Sequence, residues 1–142
     1  MMKKLTLFFL LIGGMYACGP KSNSDQSNAT TETPAGKVTS LSASDFKDKT
    51  DQNKGIILDV RTPQEVSQGK IEGAEALDFY RSDFLDKALE LPKDEEIYIY
   101  CSAGVRSAQA AEMLVQNGYT KVYQLEGGLG PWVNQGYPLS KD

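Results

Sequence analysis

The stretch Cys101-Ser102-Ala103-Gly104-Val105-Arg106 joins an apolar run, IYIY, to an alanine-rich segment of helical pattern. A thiol followed by small residues and then an arginine can do chemistry. With little side chain in the way, the backbone N–H groups of residues 102–106 are free to turn inward around an anion. Arg106 contributes a permanent positive charge, and a helix starting near Ser107 contributes the positive end of its dipole. Such surroundings lower the pKa of Cys101 and stabilise a thiolate, or an anion attached to it. A cysteine can also serve as a small buried hydrophobe, with Gly104 merely making a turn. Packing alone, however, does not ask for a thiol, a glycine, an arginine and a helix start within one short loop.

The rest of the composition narrows that chemistry. The 142 residues contain no histidine, which removes Cys–His proteases, histidine-based metal sites and a histidine general base. No metal site and no cofactor are expected. Of the two cysteines, Cys18 lies in a segment expected to be processed, so an internal dithiol cycle is not available to Cys101. There are 19 acidic and 15 basic residues and no basic stripe, so nucleic acid is not an expected partner.

Positioning such a loop takes a strand leading in and a helix leading out. Strands are expected at 38–41, 56–60, 74–79, 95–100 and 121–125, and helices at 42–46, 63–68, 84–91, 107–117 and 129–135. The second helix carries the clearest start signal: Thr62, Pro63 and Glu65 make a capping box with proline at the first helical position, and Gly69 is the stop. Strands alternating with helices predict an α/β fold, a parallel sheet covered on both faces, in which ligands sit beyond the carboxyl ends of the strands. Cys101 is at such an end. Arg61 and Glu65, four apart at a helix start, are expected to pair with each other; with Asp59 they are assigned to shaping the site. Gly127 and Gly128 are expected to form a tight turn and Trp132 to pack. The sequence leaves the position of Tyr80 and Arg81 relative to the loop open.

The first eighteen residues stand apart. Lys3 and Lys4 precede an apolar run that ends in GGMYAC, the pattern of an export signal, and the 14 residues from Leu5 to Cys18 are fewer than a spanning helix needs. A cysteine directly behind that run resembles the lipobox of bacterial lipoproteins, although Met15 stands where leucine is usual. The resemblance implies acylation of Cys18 and a membrane attachment; an ordinary signal peptide cleaved nearby is the alternative. Residues 19–36 are rich in Ser, Asn, Thr, Gly and Pro and cannot build a core. As a flexible tether these 18 residues reach about 25 Å. The expected organisation is a signal over 1–18, a tether over 19–36 and one folded domain over 37–142. The protein is expected in the bacterial cell envelope, on a periplasmic or surface face, as a monomer.

Three motifs in order resemble the single-domain rhodaneses, a family of sulfurtransferases: LDVRTPQEVSQGKIEGA over 58–74, CSAGVRS over 101–107 and LEGGLGPW over 125–132. The resemblance implies a five-stranded parallel sheet. It also implies that Cys101 takes a sulfane sulfur as a persulfide from a donor such as thiosulfate or another persulfide, and hands it to cyanide or a thiol. Backbone amides of Ser102, Ala103, Gly104, Val105 and Arg106 would hold the persulfide anion, and the Arg106 side chain an anionic donor. Lys70 stands where the family often has histidine, at a position read as structural. Four residues separate Cys101 from Arg106, one fewer than in the related phosphatases and arsenate reductases, and a tighter loop suits one sulfur atom better than a phosphate. A non-catalytic sulfur carrier or docking module on the same fold is the alternative from a different class.

Overall fold

A computed structural model describes residues 36–52 and 55–141 of the chain. Five strands, β1 (Lys37–Leu41), β2 (Ile56–Asp59), β3 (Glu75–Ala76), β4 (Ile97–Tyr100) and β5 (Lys121–Leu125), alternate with five helices. These are α1 (Ala43–Gln52), α2 (Pro63–Val66), α3 (Phe84–Ala88), α4 (Val105–Gln116) and α5 (Leu129–Asn134). The strands form one parallel sheet in the order β1-β5-β4-β2-β3. The central position of β4 follows from its composition: all four of its side chains are fully buried, as a continuous apolar run in a sheet covered on both faces must be.

Side chains alternate across that sheet. Ile97, Ile99 and Cys101 point to one layer, with Phe84 and Ala88 of α3 and Ala110, Ala111 and Leu114 of α4. Tyr98 and Tyr100 point to the other, with Ala43 and Phe46 of α1 and Leu129 and Trp132 of α5. Phe46 meets Tyr98, Tyr100 and Trp132 edge to face, and the Trp132 indole N–H donates to the Pro138 carbonyl, so this tryptophan packs as expected. Burying these aromatic rings supplies much of the fold's stability.

Several boundaries differ from the expectation, for physical reasons. Helix α1 runs on to Gln52 through the polar stretch KDKTDQ, which carries no apolar periodicity; Ser42 caps its start and Lys47 pairs with Asp51 along it. Strand β3 keeps only two residues of the expected six. Its continuation still donates to β2 and the following residue, from Leu77 N–H to the Asp59 carbonyl and from Phe79 N–H to that of Val60, before the chain turns at Tyr80, whose N–H donates to the Asp78 carboxylate. Helix α4 starts at Val105, two residues earlier than expected, because Gly104 takes a left-handed φ of 94° that ends the loop there. The expected signal, Cys18 and all but the last residue of the tether lie outside the described residues.

Candidate active site

Cys101 follows the last residue of β4 and is 1% exposed, at the floor of the loop that enters α4. The Gly104 N–H donates to its sulfur at 3.1 Å, and the sulfur lies 3.5 Å from Ser107 Oγ. Burial pushes the thiol pKa up. The Ser107 hydroxyl and the N–H groups of Ser107, Gly104 and Ala103 outweigh that, leaving it below the ordinary thiol value. When protonated, the thiol donates to Ser107 Oγ; when it ionises, the same hydroxyl, which otherwise donates to the Gly104 carbonyl at 3.0 Å, can rotate toward the sulfur.

The inward direction of the loop amides has a tertiary cause. The Leu129 N–H donates to the carbonyls of both Cys101 and Ser102, at 3.0 and 3.1 Å. In a trans peptide the N–H points opposite to the C=O. Holding those two carbonyls on the start of α5 therefore aims the N–H groups of Ser102 and Ala103 the other way. Gly128 makes the approach feasible: a Cβ there would lie 2.5 Å from main-chain atoms of Cys101 and Ser102. The Gly127-Gly128 turn is thus the wall against which the active loop is shaped. Sequence reasoning identified it only as a turn.

Asp59 and Arg61 form a separate buried unit. Arg61 Nη2 lies 2.6 Å from Asp59 Oδ2 and also donates to the Gly69 carbonyl at 2.7 Å, while Nη1 donates to the Glu65 main-chain carbonyl at 3.2 Å. Tyr100 Oη donates to Asp59 Oδ2 at 2.7 Å and accepts from the Ile71 N–H at 3.0 Å. Burial and the Asp59 carboxylate push the Tyr100 hydroxyl well above its usual range, so it stays a donor. This network ties the ends of β2 and β4 to the last turn of α2 and the segment that follows it. It reaches the loop through the strand that precedes Cys101 and through the main chain of Glu65.

The expected side-chain pair between Arg61 and Glu65 is not formed. The Glu65 carboxylate turns instead to the active loop, pairing with Arg106 at 2.7 Å and accepting from the Ser102 hydroxyl at 2.6 Å. The buried Asp59 claims Arg61, and that leaves Glu65 for the neighbouring loop. Tyr80 joins the site from the segment after β3, its ring 5.5 Å from the Arg106 guanidinium, whereas Arg81 pairs with Asp83. Val105 is exposed at the first position of α4, beside the loop. Lys70 donates to the Ala74 carbonyl and bridges Ser140 through its backbone, a structural role. Ser107 was the missed residue; it reads as the first residue of the helix until α4 is seen to begin at Val105, which makes it the third helical residue, with an N–H free of intrahelical partners. Among the described residues no cluster of three or more His, Cys, Asp or Glu is placed to hold a metal ion.

A cysteine held by loop amides at the carboxyl edge of a five-stranded parallel sheet defines an α/β protein equipped for thiolate chemistry. Residues 42–135 match the family described as Rhodanese-like domain, and the chain belongs to that family. A protein named Sulfurtransferase from Allochromatium vinosum is 39% identical over 84 residues, 59% of this chain and 77% of that one. A tRNA uridine(34) hydroxylase from Cytophaga hutchinsonii is 33% identical over 63% of this chain but only 30% of its own length. The crystal structure of a rhodanese-related protein from Thermoplasma volcanium is 31% identical, with a TM-score of 0.65 over 73% of this chain and 99% of that one. That fold agrees with the sheet described above.

Proposed function

We propose that the protein is a sulfurtransferase that moves a sulfane sulfur through a persulfide on Cys101. The observation that carries this is the sulfur of Cys101 at the N-terminus of α4, facing the Gly104 N–H and the Ser107 hydroxyl. The thiolate attacks the outer sulfur of a donor, thiosulfate or a persulfide. The S–S bond of the donor breaks, and its electron pair leaves with sulfite or a thiolate. The persulfide anion on Cys101 then rests among the loop N–H groups until cyanide or a thiol takes the sulfur away and returns the thiolate. Burial of Cys101 favours this chemistry, since a terminal sulfur atom is a small group to bring to the loop floor. The name of the Allochromatium vinosum relative supports the same reading.

The lipobox-like Cys18 and the tether that follows it support an exported protein, lipid-anchored at Cys18 on a periplasmic or surface face of a bacterial envelope. Intact mass spectrometry tests the catalytic reading directly. After exposure to thiosulfate or an alkyl persulfide, the wild-type domain should gain the mass of one sulfur atom and lose it again to cyanide. Cys101→Ser should gain none while its stability changes by less than about 1.5 kcal/mol, since the substitution nearly conserves volume and keeps an acceptor for the Gly104 N–H. A serine variant that still transfers sulfur would sink the proposal.

A further inference from the structure

The Glu65 carboxylate is occupied far beyond what its place in the sequence requires. Oε1 accepts from Ser102 Oγ at 2.6 Å and Arg106 Nη2 at 2.7 Å; Oε2 accepts from Arg106 Nη1 at 2.8 Å and from the Thr62 N–H and hydroxyl, both at 2.9 Å. Five donors saturate a carboxylate. The capping box explains only the Thr62 contacts, and glutamine serves a capping box as well as glutamate does. The remaining contacts form a bidentate ion pair across 41 positions of sequence, joined to the residue next to the nucleophile.

The pair has a consequence for what the loop can bind. Arg106 contributes a cation near Cys101, but its Nη1–Nη2 fork is held by Glu65 and Tyr80 lies against the guanidinium. The charge that a small anion would meet is largely cancelled. Residues 37–142 add to this: 17 acidic against 12 basic side chains leave the domain at −5. With thiosulfate, a doubly charged donor meets the Cys101 thiolate, the outer sulfur is transferred and sulfite leaves carrying two negative charges. With a persulfide, R–S–SH, the same attack transfers the outer sulfur and expels R–S⁻, carrying one.

Resting on the sulfurtransferase reading above, we infer that Glu65 is a positioning residue that sets donor specificity. By neutralising Arg106 it biases the loop against small dianionic donors and toward persulfides of organic thiols. The test measures second-order sulfur loading of Cys101 by quenched mass spectrometry, with thiosulfate and with the persulfide of 2-mercaptoethanol, which carries at most one negative charge. E65Q keeps the cap and frees Arg106, so the thiosulfate-to-persulfide loading ratio should rise about 10-fold, and that gain should shrink with added salt. E65Q combined with R106A should lose the gain. An unchanged ratio, or loading by both donors falling together in E65Q, would overturn the inference while leaving the sulfurtransferase reading intact. A wild-type protein that loads from neither donor would overturn both.

Discussion

The ionisation of Cys101 is decided by a contest within a few ångströms. Burial disfavours the thiolate, and the Ser107 hydroxyl with the amides of Ser107, Gly104 and Ala103 wins against it. A lowered pKa means that the thiolate persists to lower pH than it would on a free cysteine. The rate of alkylation by iodoacetamide should therefore rise with pH to a midpoint below that of a free thiol, about 8.5. Ser107→Ala removes the hydroxyl while keeping its N–H, so the midpoint should move up with little loss of helix. A wild-type midpoint at or above the free-thiol value would show that burial dominates. The small size of iodoacetamide matters, because the sulfur sits on the loop floor.

Shaping that loop is a task for two elements, α4 behind it and the start of α5 beside it. The glycines around α5 differ sharply in what they do. Gly128 has φ 68° and ψ −150°, a region essentially reserved for glycine, and a Cβ there would press on the main chain of Cys101 and Ser102. Gly128→Ala should destabilise the domain by roughly 2–4 kcal/mol and slow sulfur loading, since the loop must shift to make room. Gly130 lies within α5, and apart from its chain neighbours and the helix's own backbone a Cβ there would meet nothing within 4 Å. Gly130→Ala should change stability by less than about 1 kcal/mol, because the gain in helix propensity is offset by crowding of the new Cβ against the ring of Pro131. Denaturant unfolding of the two variants checks the difference, and equal effects would remove the special role assigned to the Gly-Gly turn.

At the scale of the whole molecule, the parallel sheet places Cys101 at its carboxyl edge, and the buried Asp59–Arg61–Tyr100 network locks that edge to α2. Replacing Asp59 with alanine would leave Arg61 with an unpaired buried charge, a change that costs about 3–5 kcal/mol where it has been measured for comparable pairs. The proposed anchor belongs to the same scale. Changing Cys18 to Ser in the full chain should move the protein from the membrane fraction to the soluble fraction, because the 14 residues from Leu5 to Cys18 are too few to span a bilayer. A Cys18→Ser protein that stays membrane-bound after signal removal would exclude acylation as the anchor. Sulfur loading of the domain should be unaffected by the same change.

Much of this could be read from neighbouring residues alone. The apolar run of β4, the capping box at Thr62 and the small residues after Cys101 are local signals, and local chemistry determines strand, helix start and loop. They placed a thiol at the end of a buried strand, in front of a helix, with amides available to it. Contacts between distant segments were a different matter. Glu65 stands four residues from Arg61, and spacing alone pairs them; only the folded chain shows that Asp59 takes Arg61 and that Glu65 faces a loop 41 residues away. Likewise the Gly127-Gly128 turn gives no local hint that Leu129 holds the carbonyls of Cys101 and Ser102. Sequence pattern reports which faces are buried and where elements begin. Which carboxylate meets which guanidinium depends on how buried charges compete for partners, and that competition exists only once the strands have set the loops side by side.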